Sequence, residues 1–549
     1  MSSRCSFTQS HDVITLQGKK ECRESVRFNK RARLRQRGNY LVIGQGNRHL
    51  LLFWKINSTK RSDSAMAAQR NSVTLLEVNP TVRNMKLPAK GALVSRAAEI
   101  TQELQQGVPK PFKEVISVHY GDGHAMGMKP ITFIRQVMAA CFYPELLDSE
   151  QLPNDVRSRA KTQLQKCDGG SIGSYCDSRG LLHVRQSVSR YIERRDGGVP
   201  CDPGDIYITG GAQRALQLVL KMLVHSEGHS RTGVLVPVPS YMRFNSAVQE
   251  QGGVMLPYHL SEEQGWELDI KELQRALHTA RSQKCSPRVL YVINPGNPTG
   301  QVQSRKSIED VIRFAVEEKL FLMADEVYQD NVFGDDCEFL SYKKVLFEMG
   351  PEYFRNAELI SLNSISKGFA GECGFRCGYL EFVNLDPQVR RYVQQVNSVE
   401  CCPPTPGQII LDTLMNPPLP GEPSYPSFTM ERQASLDTLA RNARLAERTL
   451  NSVPGISCVP MQAAMYCFPR IHMPSRAVQC AQAQGLAPDL FYCLRLLEET
   501  GVAAGPGSEL GEWETTHHIR FCILMPTETL QVVLSSLKSF HLKFTQEFS

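Results

Sequence analysis

The segment Glu358-Leu-Ile-Ser-Leu-Asn-Ser-Ile-Ser-Lys-Gly-Phe-Ala-Gly-Glu-Cys-Gly-Phe-Arg376 opens as a short apolar strand and ends as a loop of small residues. Lys367 follows Ser364 and Ser366, and Arg376 lies beyond it in the same loop. Gly368, Ala370, Gly371 and Gly374 let the backbone approach a ligand closely. A lysine in such company suits a Schiff base with an aldehyde, with hydroxyls and a guanidinium left to hold a phosphate. The same residues also describe a glycine-rich surface loop with a solvated lysine. The neighbouring segments decide between the two.

Outward from this segment the chain repeats one pattern, a strand running into a loop. Asp205–Thr209 leads to Gly210-Gly-Ala-Gln213 and a helix from Arg214 to Leu223. Gly233–Pro237 leads to Pro239-Ser-Tyr241, Val289–Ile293 to Asn294-Pro-Gly-Asn-Pro-Thr-Gly300, and Leu320–Ala324 to Asp325-Glu-Val-Tyr328. Short β-rich runs alternating with helices predict an α/β fold with a mostly parallel sheet flanked by helices. Ligands of such sheets bind beyond the carboxyl ends of the strands, and Tyr241, Asn297, Asp325, Tyr328 and Lys367 all fall there. Gly211 and Ala212, placed before a helix, suit an anion cradle, because free N–H groups and the helix dipole favour negative charge. Close packing is the other use of those small residues. Ser307-Ile-Glu-Asp310 reads as a capping box opening a helix that runs to Lys319.

Residues 92–106 have the spacing of an amphipathic helix, and a strand over 115–118 precedes His119-Tyr-Gly-Asp-Gly123. The loop Gly169–Tyr175 lacks the strand and third glycine of a dinucleotide fingerprint; a helix through Val184, Val188 and Ile192 follows it. Prolines at 403, 404 and 406, and again from 417 to 426, mark a boundary. Beyond it come a charged helix over 429–453, strands at 455–459, 464–468 and 518–524, and a helix over 489–500. Arg520 sits inside the last strand; facing inward it needs a carboxylate from protein or substrate. The chain thus divides into a basic extension (1–66), an N-terminal arm with part of a small domain (67–129), a large domain (130–402) and a C-terminal small domain (403–549).

A chain of 549 residues with 42% hydrophobic and 21% charged residues reads as a soluble globular protein of more than one core. No apolar run approaches the roughly 20 residues of a membrane span. The 17 cysteines show no metal-ligand spacing and read as reduced thiols of an intracellular protein, with Cys401-Cys402 filling buried small-residue positions rather than a redox site. Residues 1–65 hold 14 Lys or Arg against 4 Asp or Glu, a net of +10; the other residues hold 48 against 52, a net of −4. The globular part therefore gives no reason to expect a nucleic-acid partner. The Arg-rich run Arg27–Arg37 is open to three readings: a mitochondrial transit peptide, a disordered tail or a nuclear-localisation patch. Met66 would serve as an internal start that drops the run, so mitochondrial matrix and cytoplasm both stay open.

Asn294–Gly300, Ala324–Tyr328 and Ser364-Ile-Ser-Lys367 together resemble, in order, the three central blocks of the fold-type I pyridoxal-phosphate aminotransferases. The resemblance runs from about residue 75 to the C-terminus. Arg194–Pro200, Gly300–Lys306, Gly371–Gly374 and Leu496–Gly501 are similar, more narrowly, to members that pass the amino group of L-alanine to 2-oxoglutarate, giving pyruvate and L-glutamate. It implies a homodimer with a large cofactor-binding domain and a smaller α+β domain, pyridoxal 5′-phosphate as cofactor, and ping-pong kinetics. By the same resemblance Lys367 carries the Schiff base and moves the proton, Asp325 holds the ring proton, Asn297 and Tyr328 donate to the ring 3-oxygen, and Tyr241 lies on the ring face. Phosphate falls to Gly211, Ala212, Ser364 and Arg376, with Gln213 standing where the family offers a hydroxyl and Tyr175 reaching in from the partner subunit. Arg520 clamps the substrate carboxylate, with Asn297 and Gly121 beside it. Met242 in place of a proline, Phe244 in place of an aromatic hydroxyl, and Glu509-Leu510 in place of Gly-Phe bear on efficiency and amino-acid preference rather than reaction class. Alternatives are an aromatic or kynurenine aminotransferase, or a weakened paralogue or regulator that keeps the fold. The extension shows no helix-turn-helix pattern to suit a regulator.

Overall fold

Strands without polar interruption cannot lie on a half-exposed sheet, so they require cover on both faces. The computed structural model describes residues 78–83, 85, 91–225, 231–511 and 515–549, with four short strands before residue 51. Its apolar runs form one eight-stranded sheet. The strands are β1 (Ile206–Thr209), β2 (Thr232–Val238), β3 (Val254–Ser261), β4 (Glu267–Leu268), β5 (Ser286–Ile293), β6 (Phe321–Asp325), β7 (Leu359–Ser364) and β8 (Gly378–Val383), in the spatial order β1-β8-β7-β6-β5-β2-β3-β4. Neighbours from β7 through to β3 are parallel, while β8 runs antiparallel to β7 and β1, and β4 to β3. Val289, Tyr291, Met323 and Ile360 pack on one face; Leu290, Val292, Leu322 and Leu359 pack on the other. That period of two, apolar on both phases, is why these strands read as continuous hydrophobic runs.

The helices that cover the sheet include α1 (Ala212–Leu223) and α2 (Met242–Glu250), each starting just past a strand end. The helix after Gly300 begins at Arg305, not at the Ser307 capping box: Ser304 Oγ accepts the Ser307 N–H at 3.2 Å and is the cap. The predicted boundary at Pro403 also moves. Helix Thr405–Met415 buries Ile409, Ile410 and Leu411 among Val184, Val188, Ile192 and Ile208, so it belongs with the large part of the fold. The chain leaves that part along the 27-residue helix α3 (Tyr425–Asn451), with Pro426 in its first turn, where a missing N–H costs nothing. The smaller part pairs Val502–Ala503 in parallel with Ile116–Ser117, and β9 (Tyr466–Cys467) antiparallel with β10 (Ile519–Cys522).

Residues up to Thr74 form a separate unit, in which Leu34–Gln36 pairs with Asn39–Leu41 and Gln45–Gly46 with His49–Leu50. The rest of the basic run and Met66 lie outside the described residues. Among the described residues no helix is long and apolar enough to cross a membrane, and the cysteines are free thiols. Cys401 is exposed, at a left-handed turn with φ of +65°, rather than buried as expected from its size and polarity.

One ion pair tests how β8 is held. Lys343 and Glu381 pair inside the protein, 2% and 3% exposed. Lys343→Ala leaves a buried carboxylate uncompensated and should destabilise the protein by about 3–5 kcal/mol. Denaturant unfolding of the variant reads that loss; an unchanged midpoint would show that the Glu381 charge is met by solvent.

Candidate active site

Register brings the strand ends into line, with Ile293 opposite Asp325 and Asp325 opposite Leu362. Beyond them lies a cavity of about 180 Å³. Ala212, Gln213, Tyr241, Asn297, Asp325, Tyr328, Ser364, Lys367 and Arg376 from the sequence reading all line it.

Asp325 ends the central strand and is 4% exposed. Its carboxylate accepts the Tyr291 hydroxyl at 2.7 Å and the Val327 N–H at 3.4 Å. Burial pushes its pKa up to about 6, against the pull of Tyr291 and of the Lys367 charge. Tyr291 is itself fixed by Phe244, whose ring stacks on it with centroids 3.7 Å apart. Phe244 thus replaces a polar group with a packed face behind the carboxylate. Asn297 donates from Nδ2 to the Tyr328 hydroxyl at 3.3 Å, and its Oδ1 is buried without a partner. Burial also lifts the Tyr328 phenol well above its ordinary pKa. Tyr241 is the N-cap of α2, and burial raises its pKa to about 12.

Lys367 lies three residues past the end of β7, and Nζ donates to the Gly121 carbonyl at 3.0 Å. The next residue, Gly368, has φ of +69°, and its N–H is held by Asn331 Oδ1 at 2.9 Å, which turns the loop back. At the other wall, Gly211 is the N-cap of α1 with φ of +101°. A Cβ there would stand 2.6 Å from Arg376 Nη2, so only glycine lets the guanidinium reach the helix start. Arg376 donates to the Cys373 carbonyl at 2.7 Å, Ser366 Oγ at 3.3 Å and the Gly210 carbonyl at 3.3 Å. Ser364 Oγ lies 3.0 Å from Ser366 Oγ. Helix N-terminus, two hydroxyls and an arginine together form an anion cradle. Gln213 adds no hydroxyl: its Nε2 donates to the Arg243 carbonyl at 3.3 Å, and its Oε1 is buried without a partner.

Arg520, on β10, donates from Nη2 to the His119 carbonyl at 2.7 Å, and its Nε is buried without a partner. Gly121 sits close by, since a Cβ on it would stand 2.5 Å from the Tyr466 hydroxyl. Gly121, Gly211 and Arg520 adjoin the lining residues Lys367, Arg376 and Tyr466, whereas Tyr175 is the expected site residue that this chain leaves 78% exposed. Tyr466, Cys373 and Tyr291 lie at the site without having been expected there. Ser366 was legible from its place beside Lys367. The other three are placed by strand pairing or loop closure that local pattern does not encode. Of the other departures, Met242 and Leu510 meet in one apolar cluster with Trp266 and Phe468, away from the cavity.

The Asp325 pKa has a measurable consequence in the cofactor-free protein. A folded pKa near 6 against about 3.9 unfolded means the native state keeps a proton that the unfolded chain has lost. Stability therefore falls as pH rises from about 4 to 6 and levels above, by up to about 3 kcal/mol from this group. Asp325→Asn should remove that slope and be the more stable form at pH 8, read by chemical denaturation across pH. Equal slopes in the two proteins would place the titrating group elsewhere.

Comparison with known proteins agrees with this geometry. Residues 145–537 match the sequence family described as aminotransferase class I and II. The chain is 55% identical over 477 residues to alanine aminotransferase 2 of Xenopus tropicalis, covering 87% of this chain and 91% of that protein. It is 53% identical over 490 residues to alanine aminotransferase 1 of Homo sapiens, covering 89% and 99%. A solved alanine aminotransferase from Pyrococcus furiosus shares the fold, with a TM-score of 0.66 over 85% of this chain and 99% of that one, at 22% identity.

Proposed function

The chain belongs to the class I and II aminotransferases, and from that premise we propose that it transfers the amino group of L-alanine to 2-oxoglutarate, yielding pyruvate and L-glutamate. The observation that carries the reading is the cavity itself. A buried carboxylate, a lysine and an anion cradle face one space of about 180 Å³, and Arg520, with an unpartnered Nε, stands behind Tyr466 of its lining. The family's cofactor is pyridoxal 5′-phosphate, and the residues present fit it. The cradle at Gly211 and Arg376 would hold the phosphate, the Asn297 amide and the Tyr328 phenol would hold the ring oxygen, and Asp325 would meet a protonated ring nitrogen.

When bound, the cofactor supplies a carbonyl that condenses with amines and a ring that accepts the electron pair released at the substrate Cα. Everything else falls to the chain. Asp325, whose buried charge is costly without a cation, would favour a positive charge opposite it and so hold a proton on a ring nitrogen placed there. Lys367 Nζ, as a free amine, would take the proton from the substrate Cα as a general base and return it one step later as a general acid. Arg520 offers Nε and an Nη to the α-carboxylate in a fork, while His119 keeps the guanidinium from swinging away. Alanine and glutamate present the same α-carboxylate and amine, so one site serves both halves of a ping-pong exchange. A homodimer completes the proposal. Exposed Tyr175, with exposed Phe142, Tyr143 and Leu182, supplies the apolar surface for it and for Tyr175 to meet the partner's phosphate cradle.

L-Alanine added to the purified holoenzyme should convert its visible absorbance, and 2-oxoglutarate should restore it. Conversion by aromatic amino acids in preference to alanine would move the chain to the kynurenine-type readings. Lys367→Ala should give no conversion. Arg520→Ala should raise KM for both alanine and 2-oxoglutarate by roughly 10–100-fold, the loss of a charge-assisted hydrogen-bonded pair. An unchanged KM would put the clamp on another residue.

A further inference from the structure

Tyr466 has no role in the scheme above, yet it touches the groups that carry it. We propose that Tyr466 is a positioning residue for substrate recognition, its ring holding the Arg520 guanidinium ready for the α-carboxylate and its hydroxyl closing the site against Gly121 and Tyr328. The proposal rests on the aminotransferase reading of the same cavity.

Strand register creates the contact. β9 lies antiparallel to β10 with Tyr466 opposite Cys522. Arg520 precedes Cys522 by two residues, so its side chain leaves the same face of the ribbon as that of Tyr466. The guanidinium carbon stands 4.7 Å from the Tyr466 ring centroid, well within cation–π range. An aromatic face suits this arginine better than an acid would. A protein carboxylate would neutralise Arg520 and compete with the substrate, whereas a ring face restrains the cation and leaves its charge for the incoming carboxylate. The His119 carbonyl is a neutral restraint of the same kind at the far nitrogen.

The hydroxyl end is equally constrained. Tyr466 is 4% exposed, and a Cβ at Gly121 would overlap its oxygen at 2.5 Å and Met465 Sδ at 2.7 Å. The same Gly121 offers its carbonyl to Lys367 Nζ, so the tyrosine backs the residue that latches the lysine. Its ring meets Tyr328 edge-on with centroids 6.2 Å apart, and Lys367 Nζ lies 6.0 Å from its centroid. One side chain thereby ties the carboxylate clamp to the ring-edge phenol and the lysine.

The test compares wild-type, Tyr466→Phe and Tyr466→Leu holoenzymes. Propionate binding, followed by calorimetry, reads the carboxylate clamp without any turnover. Failure of L-alanine to convert the wild-type spectrum would instead count against the aminotransferase reading, so the two failures are distinguishable. Tyr466→Leu should weaken propionate binding and raise KM for L-alanine and L-glutamate by about tenfold, with kcat changed less. Tyr466→Phe should hold both within about twofold, since the ring remains. Tyr466→Met, similar in volume but without a π-face, replaces the Leu variant if that protein fails to fold. Wild-type propionate affinity in the Leu or Met variant, or a loss in Tyr466→Phe equal to theirs, would overturn the proposal.

Discussion

Burying a carboxylate at the end of a central strand is expensive, and the architecture is arranged around that cost. Asp325 lies where β6 leaves the middle of the sheet, so solvent meets it only through the cavity and it is 4% exposed. Tyr291 on the neighbouring strand and the Val327 amide supply its hydrogen bonds, and Phe244 locks Tyr291 from the outside. A group held this way stays a strong acceptor only if a cation comes to it. The lysine, the arginines and the small-residue loops are the means by which cations and a positively charged ring arrive there without being neutralised first.

Much of this is legible in the chain because it is local. A strand end followed by Asp-Glu-Val-Tyr, or by Ser-Ile-Ser-Lys, places its polar group in the crevice by geometry alone, and Asp325, Tyr328 and Lys367 all lie there. Glycine does the same for Gly211, where a positive φ and a guanidinium at van der Waals distance leave no alternative. Errors arise where two remote segments decide together. Prolines after Glu400 suggest a domain boundary, but the helix they bracket is claimed by Val184 and Ile192 far upstream. Tyr466 escapes notice because its function depends on which residue of β10 it faces, and periodicity within either strand carries no register. Tyr175 is visible in the sequence as an aromatic on a flexible loop, but its place needs a second subunit.

The departures from the family pattern also sort themselves physically. Phe244 sits behind the buried carboxylate and tunes it through Tyr291. Met242 and Leu510 meet in one satellite cluster, so they repack each other rather than the cavity. Gln213 alone enters the cavity, with an acceptor oxygen where the cradle otherwise offers donors.

The pairing of Ile116–Ser117 with Val502–Ala503 brings the beginning and the end of the globular chain side by side. Lys367 is latched by a carbonyl 246 residues upstream, and Arg520 by one 401 residues upstream. During synthesis the large sheet can be complete while the ribosome still holds β10, and at that stage the crevice has a lysine and a cradle but no clamp. Domains tend to fold as they emerge, N-terminal first, so the nascent chain can take up its cofactor before it can select an amino acid. The carboxylate clamp is the last part of the crevice to leave the ribosome.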